Sequence, residues 1–215
     1  MKAEIRKWTP TKFIAVGFLV IILTGALLLT LPIASRSGKA MPFLDALFTA
    51  TTSTCVTGLV LHDVYTTWTL FGQIVILLLI QTGGIGFMTL AVAALTLMKK
   101  KIGLSQRLTM QESVGAPQVG GIVRLTKFIL LGTLLVETAG TVALSFVYCP
   151  LLGFFKGVYF SVFHAVSAFC NAGIDLMGCF EPGSSLVTLQ SNVIVNVTIM
   201  ALIVIGGLGF FVWKD

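Results

Sequence analysis

A short apolar segment that ends in a small-residue turn occurs twice in the chain, and this repeat restricts the fold more than any other feature. The first copy, FTATTSTCVTGL, covers residues 48–59, and the second, FHAVSAFCNAGI, covers residues 163–174, at a constant offset of 115 residues. Each apolar segment is too short to cross a bilayer, for which a helix needs about 20 residues. Each turn holds one glycine, Gly58 or Gly173. A short helix followed by such a turn is the form of a pore helix and an ion filter.

The composition indicates whether these segments lie in water or in a lipid bilayer. The chain is 56% hydrophobic and only 10% charged, and its mean hydropathy is +1.01. These values are typical of an integral membrane protein. Four stretches are long enough to span a hydrocarbon layer, at residues 13–32, 70–98, 128–148 and 193–213. We therefore expect an all-α integral membrane protein that crosses the lipid bilayer several times.

The distribution of charge predicts the orientation in the membrane. Eleven of the 14 basic residues precede the first span, lie between the second and third, or follow the fourth, which leaves Arg36, Lys39 and Lys156 on the other side. The positive-inside rule then predicts a protein of the plasma membrane with its N-terminus, middle loop and C-terminus on the cytoplasmic side. The net charge of +6 thus reflects topology, and we expect no nucleic-acid partner. If residues 42–52 crossed the bilayer, the basic cluster at 99–101 would lie outside, so a re-entrant segment is favoured.

The spans and the short segments together form a tandem repeat. Residues 83–87 (GGIGF) match residues 206–210 (GGLGF) at an offset of 123 residues, which indicates an eight-residue insertion in an outer loop around residues 177–185. The chain divides into a first span–pore helix–span repeat (1–98), a cytoplasmic connecting loop (99–123) and a second such repeat (124–215). This is a potassium-channel-like arrangement.

A cation that crosses a bilayer must exchange its hydration shell for protein oxygens, and backbone carbonyls can provide them. Small or β-branched residues can hold an extended backbone with its carbonyls on one side, and glycine adopts dihedral angles that other residues resist. We expect the pore helices to end near Thr52 and Phe169, so that the negative ends of their dipoles face a bound cation. The predicted filter residues are Thr54, Cys55, Val56, Thr57 and Gly58 in the first copy and Cys170, Asn171, Ala172 and Gly173 in the second.

Two acidic residues follow the predicted filter turns. Asp63 and Asp175 could raise the local cation concentration at an outer mouth of the pore. Alternatively, each is a solvated loop acid. A third acidic residue, Glu137, lies in the middle of a span, where a carboxylate is costly. It either faces a cavity or a partner, or forms a hydrogen bond to a neighbouring helix within one unit.

The remaining polar residues do not indicate catalysis. His62 and His164 have no metal-ligand spacing with each other or with cysteine, and we expect both to be structural. Cys149 and Cys179 both fall on the predicted outer face, where they could be paired or free. The chain contains no pattern of a hydrolase, metalloprotease or phosphate-binding loop, so we do not expect an enzyme. A membrane anchoring or assembly protein with non-conducting re-entrant loops is the alternative to an ion pathway.

The quoted residues also resemble a known family. Residues 51–59 (TTSTCVTGL) and 71–89 (FGQIVILLLIQTGGIGFMT) closely resemble the Ktr/Trk/HKT superfamily of potassium transporters, and they are most similar to the membrane subunit of bacterial Ktr potassium uptake systems. Residues 169–173 (FCNAG) resemble the second filter of that family. The resemblance covers nearly the whole chain.

The resemblance implies a potassium uptake protein, often sodium-coupled or sodium-stimulated, that works as a homodimer with a cytoplasmic nucleotide-binding subunit. It implies potassium as the transported ion, bound by filter carbonyls, and no tightly bound cofactor. The single filter glycine of each repeat would be Gly58 or Gly173.

The chain departs from this family in one respect. Members carry four repeats around one pore, whereas this chain has two. We interpret it as the N-terminal half of a longer transporter, without the gating loop of the third repeat. A half-size pore formed by two associated copies is the other possibility.

Overall fold

A computed structural model describes residues 9–86, 89, 108–109, 111 and 122–208. The helices of the two long described segments are α1 (Pro10–Thr30), α2 (Phe43–Cys55), α3 (Val64–Thr67), α4 (Leu70–Ile85), α5 (Ile122–Leu152), α6 (Phe154–Phe169) and α7 (Val193–Gly207). These segments contain no β-strand, and an isolated bridge joins Ser35 to Trp68. The expectation of an all-α fold is confirmed.

Two of these helices are long and apolar enough to cross a membrane. They are Thr11–Thr30 within α1 and Val123–Leu152 within α5. The helices α4 and α7 are apolar but shorter, at 16 and 15 residues. The predicted spans at 70–98 and 193–213 extend beyond the residues that the structure describes. Most of the predicted connecting loop at 99–123 also lies outside them.

The helices of each predicted repeat pack in the same way. In the first, α1 contacts α2 and α4, and in the second, α5 contacts α6 and α7. Gly25 of α1 lies against Leu79 of α4, and Gly140 of α5 lies against Leu202 of α7. These two contacts are related by the offsets of 115 and 123 residues. A glycine lets neighbouring helices approach closely where lipid provides no hydrophobic driving force between them.

The two groups of helices meet through α4 and α6. In the second repeat, α6 folds back on α5 at Gly153, which has a φ of 83°. Gly157 of α6 then lies against the backbone of Cys149 in α5. Two short 3₁₀ turns, Met177–Cys179 and Ser185–Leu189, occupy the segment in which the sequence indicates an insertion. The fold therefore brings the turn after α2 and the turn after α6 to the same region.

Candidate functional site

The turn after α2 is built by a left-handed residue followed by a glycine. The helix ends at Cys55, and Val56 has a φ of 56° and a ψ of 42°. The amide of Thr57 donates to the Thr52 carbonyl at 3.0 Å. Gly58 has a φ of 77°, in a region that a side chain with a Cβ rarely adopts. The glycine is thus required by the conformation of the turn.

The prediction for the first residues of this turn was partly wrong. Thr54 and Cys55 belong to the last turn of α2 instead of an extended segment, and the helix continues three residues past Thr52. The hydroxyls of Ser53 and Thr54 donate to carbonyls four residues earlier, at 2.7 and 2.8 Å. These bonds satisfy the hydroxyls within the helix, so an extended backbone has no advantage there.

The turn after α6 repeats this construction. The helix ends at Phe169, as predicted, and the amide of Ala172 donates to the Ser167 carbonyl at 2.7 Å. Asn171 has a φ of 60° and Gly173 a φ of 65°. Each of these residues lies 115 positions after its counterpart in the first turn. The repeat in the sequence therefore corresponds to a repeat in backbone conformation.

A hydroxyl at the same position in each copy holds the chain beyond the turn. Thr52 Oγ1 accepts from the amide of Leu59 at 3.0 Å and lies 2.6 Å from Thr57 Oγ1. Ser167 Oγ accepts from the amide of Ile174 at 3.1 Å. We refer to Thr52 and Ser167 as the hydroxyl clasps. The sequence analysis missed them, although a hydroxyl residue at this position of both copies was the available signal.

The two turns lie directly beside each other. A Cβ added at Gly58 would lie 2.8 Å from the Ala172 carbonyl oxygen, and one added at Gly173 would lie 3.7 Å from the Gly58 Cα. Cys55, Thr57 and Asn171 are exposed on this surface, whereas Ala172 is fully buried. Two segments that are 115 residues apart in sequence therefore form one continuous surface of small residues.

Glycines of the helices that follow the turns support them from behind. Gly83 of α4 lies against the carbonyl oxygen of Thr54, and Gly206 of α7 lies against that of Phe169. Any side chain at either glycine would overlap a backbone oxygen at the end of the preceding short helix. The first glycine of each pair is therefore needed for contact between the second helix of each repeat and the end of the short helix before it.

The acidic residues after the turns are held by hydrogen bonds from loop groups. Asp63 Oδ1 accepts from the amide of Thr66 at 2.8 Å, and its Oδ2 accepts from that of Gly183 at 3.1 Å. Asp175 Oδ2 accepts from Ser185 Oγ at 2.7 Å. Asp63 thus ties the loop after α2 to the segment that precedes α7, and Asp175 forms a bond within that segment. Their predicted role at an outer mouth stays a prediction.

The histidines have structural contacts, and the two cysteines that could have been paired are free. His164 is buried, with Nδ1 2.7 Å from the Phe160 carbonyl, and its Nε2 accepts from the amide of Leu176 at 3.3 Å. His62 pairs with a carboxylate at the start of α2. Cys149 and Cys179 are free thiols. Burial raises the pKa of the Cys179 thiol, which keeps it protonated near neutral pH.

The described side-chain hydrogen bond of Glu137 crosses to the other repeat, so the interpretation of a bond within one unit is wrong. Gln81 Nε2, from α4 of the first repeat, donates to the two carboxylate oxygens of Glu137 at 3.0 and 3.1 Å. Glu137 is only 7% exposed. A buried polar contact therefore joins the two repeats.

The cation transport protein family named TrkH matches residues 2–215 of the chain. The chain belongs to the TrkH family. It is 45% identical to the potassium/sodium uptake protein NtpJ of Enterococcus hirae, and 41% and 36% identical to the Ktr system potassium uptake protein B of Bacillus subtilis and of Vibrio alginolyticus. Each match covers 100% of this chain and 46–47% of the relative. This TrkH-family chain thus spans about half the length of the curated relatives that it matches.

Membership of the TrkH family confirms the resemblance stated from the filter and glycine-span residues. It makes the chain part of a membrane protein of a transport family, in agreement with the composition. The relatives named above are transport proteins, which agrees with the expectation that the chain is not an enzyme.

Proposed function

We propose that the chain forms part of the conduction path of a potassium uptake protein. The two glycine turns would lie on one axis and would replace the water of a permeating ion with backbone carbonyl oxygens. The contact between Gly58 and the Ala172–Gly173 turn carries this proposal, because a shared pore needs its filter segments side by side. Two unrelated hairpins in lipid would have no reason to meet.

The electrostatics of the two short helices support a cation as the permeating ion. α2 ends at Cys55 and α6 ends at Phe169, so each helix directs its C-terminal end at a turn. A helix C-terminus carries about half a negative elementary charge. Two such ends would offset part of the dehydration cost of a cation and would disfavour an anion.

In this proposal, each unit is a span–pore helix–span repeat with a re-entrant α2 or α6. The N-terminus lies in the cytoplasm, and the loops that contain Asp63 and Asp175 lie on the outer side. Irregular backbone at membrane depth is tolerated where protein or water covers it. The second half of the pore would come from further repeats of the same kind.

The proposed assembly follows the resemblance. The protein would act as a homodimer with a cytoplasmic nucleotide-binding regulatory subunit, whose contact we assign to the basic cluster at 99–107. The relative from Enterococcus hirae is named as a potassium/sodium uptake protein, which supports sodium coupling or stimulation as part of the proposal. Potassium is the transported ion, and no tightly bound cofactor is needed.

Uptake of radioactive rubidium tests this function directly. The protein, produced from its whole reading frame in bacteria that lack their own potassium uptake systems, is expected to restore growth at low potassium. It should also accumulate rubidium in competition with potassium. Membrane insertion without any rubidium uptake would contradict the proposal and would favour an anchoring or assembly role.

The hydroxyl clasps lead to a prediction within this function. Thr52→Val keeps the shape of the side chain but leaves the Leu59 amide without its acceptor, at a cost of about 1–3 kcal/mol. We expect a roughly fivefold to tenfold lower initial rate of rubidium uptake, with Thr52→Ser close to wild type. The matched control is Thr51→Val, because Thr51 Oγ1 bonds only to a carbonyl four residues earlier in its own helix. Equal rates for Thr52→Val and Thr51→Val would contradict a role for the clasp.

A further inference from the structure

The hydrogen bond between Gln81 and Glu137 is a polar contact between two predominantly apolar helices, in a part of each helix that the proposed function places within the membrane. Glu137 is 7% exposed, and Gln81 Nε2 lies within 3.1 Å of both its oxygens. An ionisable group within a span is expensive and by default has a function. The contact joins α4 of the first repeat to α5 of the second, so it bridges the two repeats beside the contact between α4 and α6.

Gln81 also reaches the second filter turn. Its Oε1 accepts from Cys170 Sγ at 3.9 Å. One helical turn further along α4, Gly84 lies directly against Cys170. Residues three apart on a helix share a face, so α4 supports Cys170 at two neighbouring points. Of these two points, Gln81 is the polar one, and Glu137 holds it by accepting its hydrogen bonds.

The repeat shows that the scaffold itself does not require this pair. The position equivalent to Glu137 in the first repeat, 115 residues earlier, is Ile22, and the position equivalent to Gln81 in the second, 123 residues later, is Val204. Ile22 is partly buried against the hydrophobic core. Val204 is 59% exposed. The equivalent helices therefore carry apolar residues at these positions, and the polar pair occurs where the first repeat meets the second filter turn.

We infer that Glu137 is a positioning residue for the second filter turn, acting through Gln81 on Cys170. The inference rests on the proposed function, since it assigns the residues that set the spacing between two filter turns. Loss of the pair should alter the discrimination between potassium and sodium as well as the rate. A purely structural contact would lower the amount of folded protein and leave the discrimination unchanged.

Exchange of the two residues tests the pair. Gln81→Glu puts two carboxylates in contact, and we expect a roughly tenfold lower rate of rubidium uptake per molecule in the membrane, with stronger inhibition by sodium. The double variant Gln81→Glu/Glu137→Gln restores one amide and one carboxylate in reversed order. It should recover to within about threefold of wild type in rate and regain the wild-type inhibition by sodium. Thr138→Val is the control, because Thr138 is the next residue of α5 and its hydroxyl bonds within that helix.

Two outcomes would overturn the inference. One is a double variant no better than Gln81→Glu at equal membrane content, and the other is an unchanged inhibition by sodium in all variants. The melting temperature of the purified protein gives a comparison that does not depend on transport, and failure of the exchange to restore it would also count against the pair. If the wild type transports rubidium and depends on Gly58, but the exchange of the two residues gives no rescue, this inference alone is rejected. A wild type without transport would reject the proposed function.

Discussion

Gly58→Ser is expected to abolish selective potassium uptake, with at least a roughly tenfold fall in the initial rate of rubidium entry. Gly58 has a φ of 77°, and the left-handed region costs a residue with a Cβ about 1–2 kcal/mol. In addition, the new Cβ would lie 2.8 Å from the Ala172 carbonyl oxygen. The substitution therefore disturbs the contact between the two turns, because at least one of them must move to relieve the overlap.

The chain offers a matched control for the backbone strain. Gly38 has a φ of 68°, close to that of Gly58, but a Cβ added there would have nothing within 4 Å. Gly38→Ser therefore introduces the same left-handed strain in open space, and we expect rubidium uptake near the wild-type level. If Gly38→Ser and Gly58→Ser lowered the rate equally, or if neither did, the contact between the turns would have no role in conduction.

Gly83→Ala is expected to have the second large effect. A Cβ at Gly83 would overlap the carbonyl oxygen of Thr54, and neither the helix backbone nor the end of α2 can rotate away as a side chain can. Displacement of α4 from α2 would shift the turn that contains Gly58. We expect a loss of roughly tenfold or more in rubidium uptake, together with a lower melting temperature of the purified protein.

Gly25→Ala is the control that distinguishes the overlap at Gly83 from a general effect of replacing a glycine in a helix. Both changes gain up to about 1 kcal/mol of helix propensity. A Cβ at Gly25, however, would meet only the flexible end of the Leu79 side chain, which can adopt another rotamer. Gly25→Ala should therefore retain most of the uptake and stability. A Gly83→Ala protein that transported as well as Gly25→Ala would show that the α4 glycine does not support the turn.

Several features of the site could be predicted because they depend on local residue types. A glycine that follows small residues at a fixed position in both copies indicated Gly58 and Gly173, and both have a positive φ. The end of α6 at Phe169 was also predicted. The end of α2 was not, because the hydroxyls of Ser53 and Thr54 can bond back into a helix as readily as they can face an open segment.

The pairing of Glu137 with Gln81 could not be predicted from the sequence. The two residues are 56 positions apart and belong to different repeats. Hydropathy identifies a costly carboxylate in a span but does not indicate which face of the helix carries it, or which neighbour lies opposite. The bonds of Asp63 and Asp175 depend in the same way on the packing of the loops around them.

The amino-acid sequence by itself determined a membrane-embedded all-α chain, its internal repeat and the glycine in each turn, because hydropathy, spacing and backbone freedom are properties of short segments. Only the tertiary structure decided that the two turns touch, that Gly83 and Gly206 lie against backbone oxygens, and that Gln81 joins Glu137 to Cys170. These contacts arise from the relative placement of helices far apart in the chain, and no local pattern records that placement.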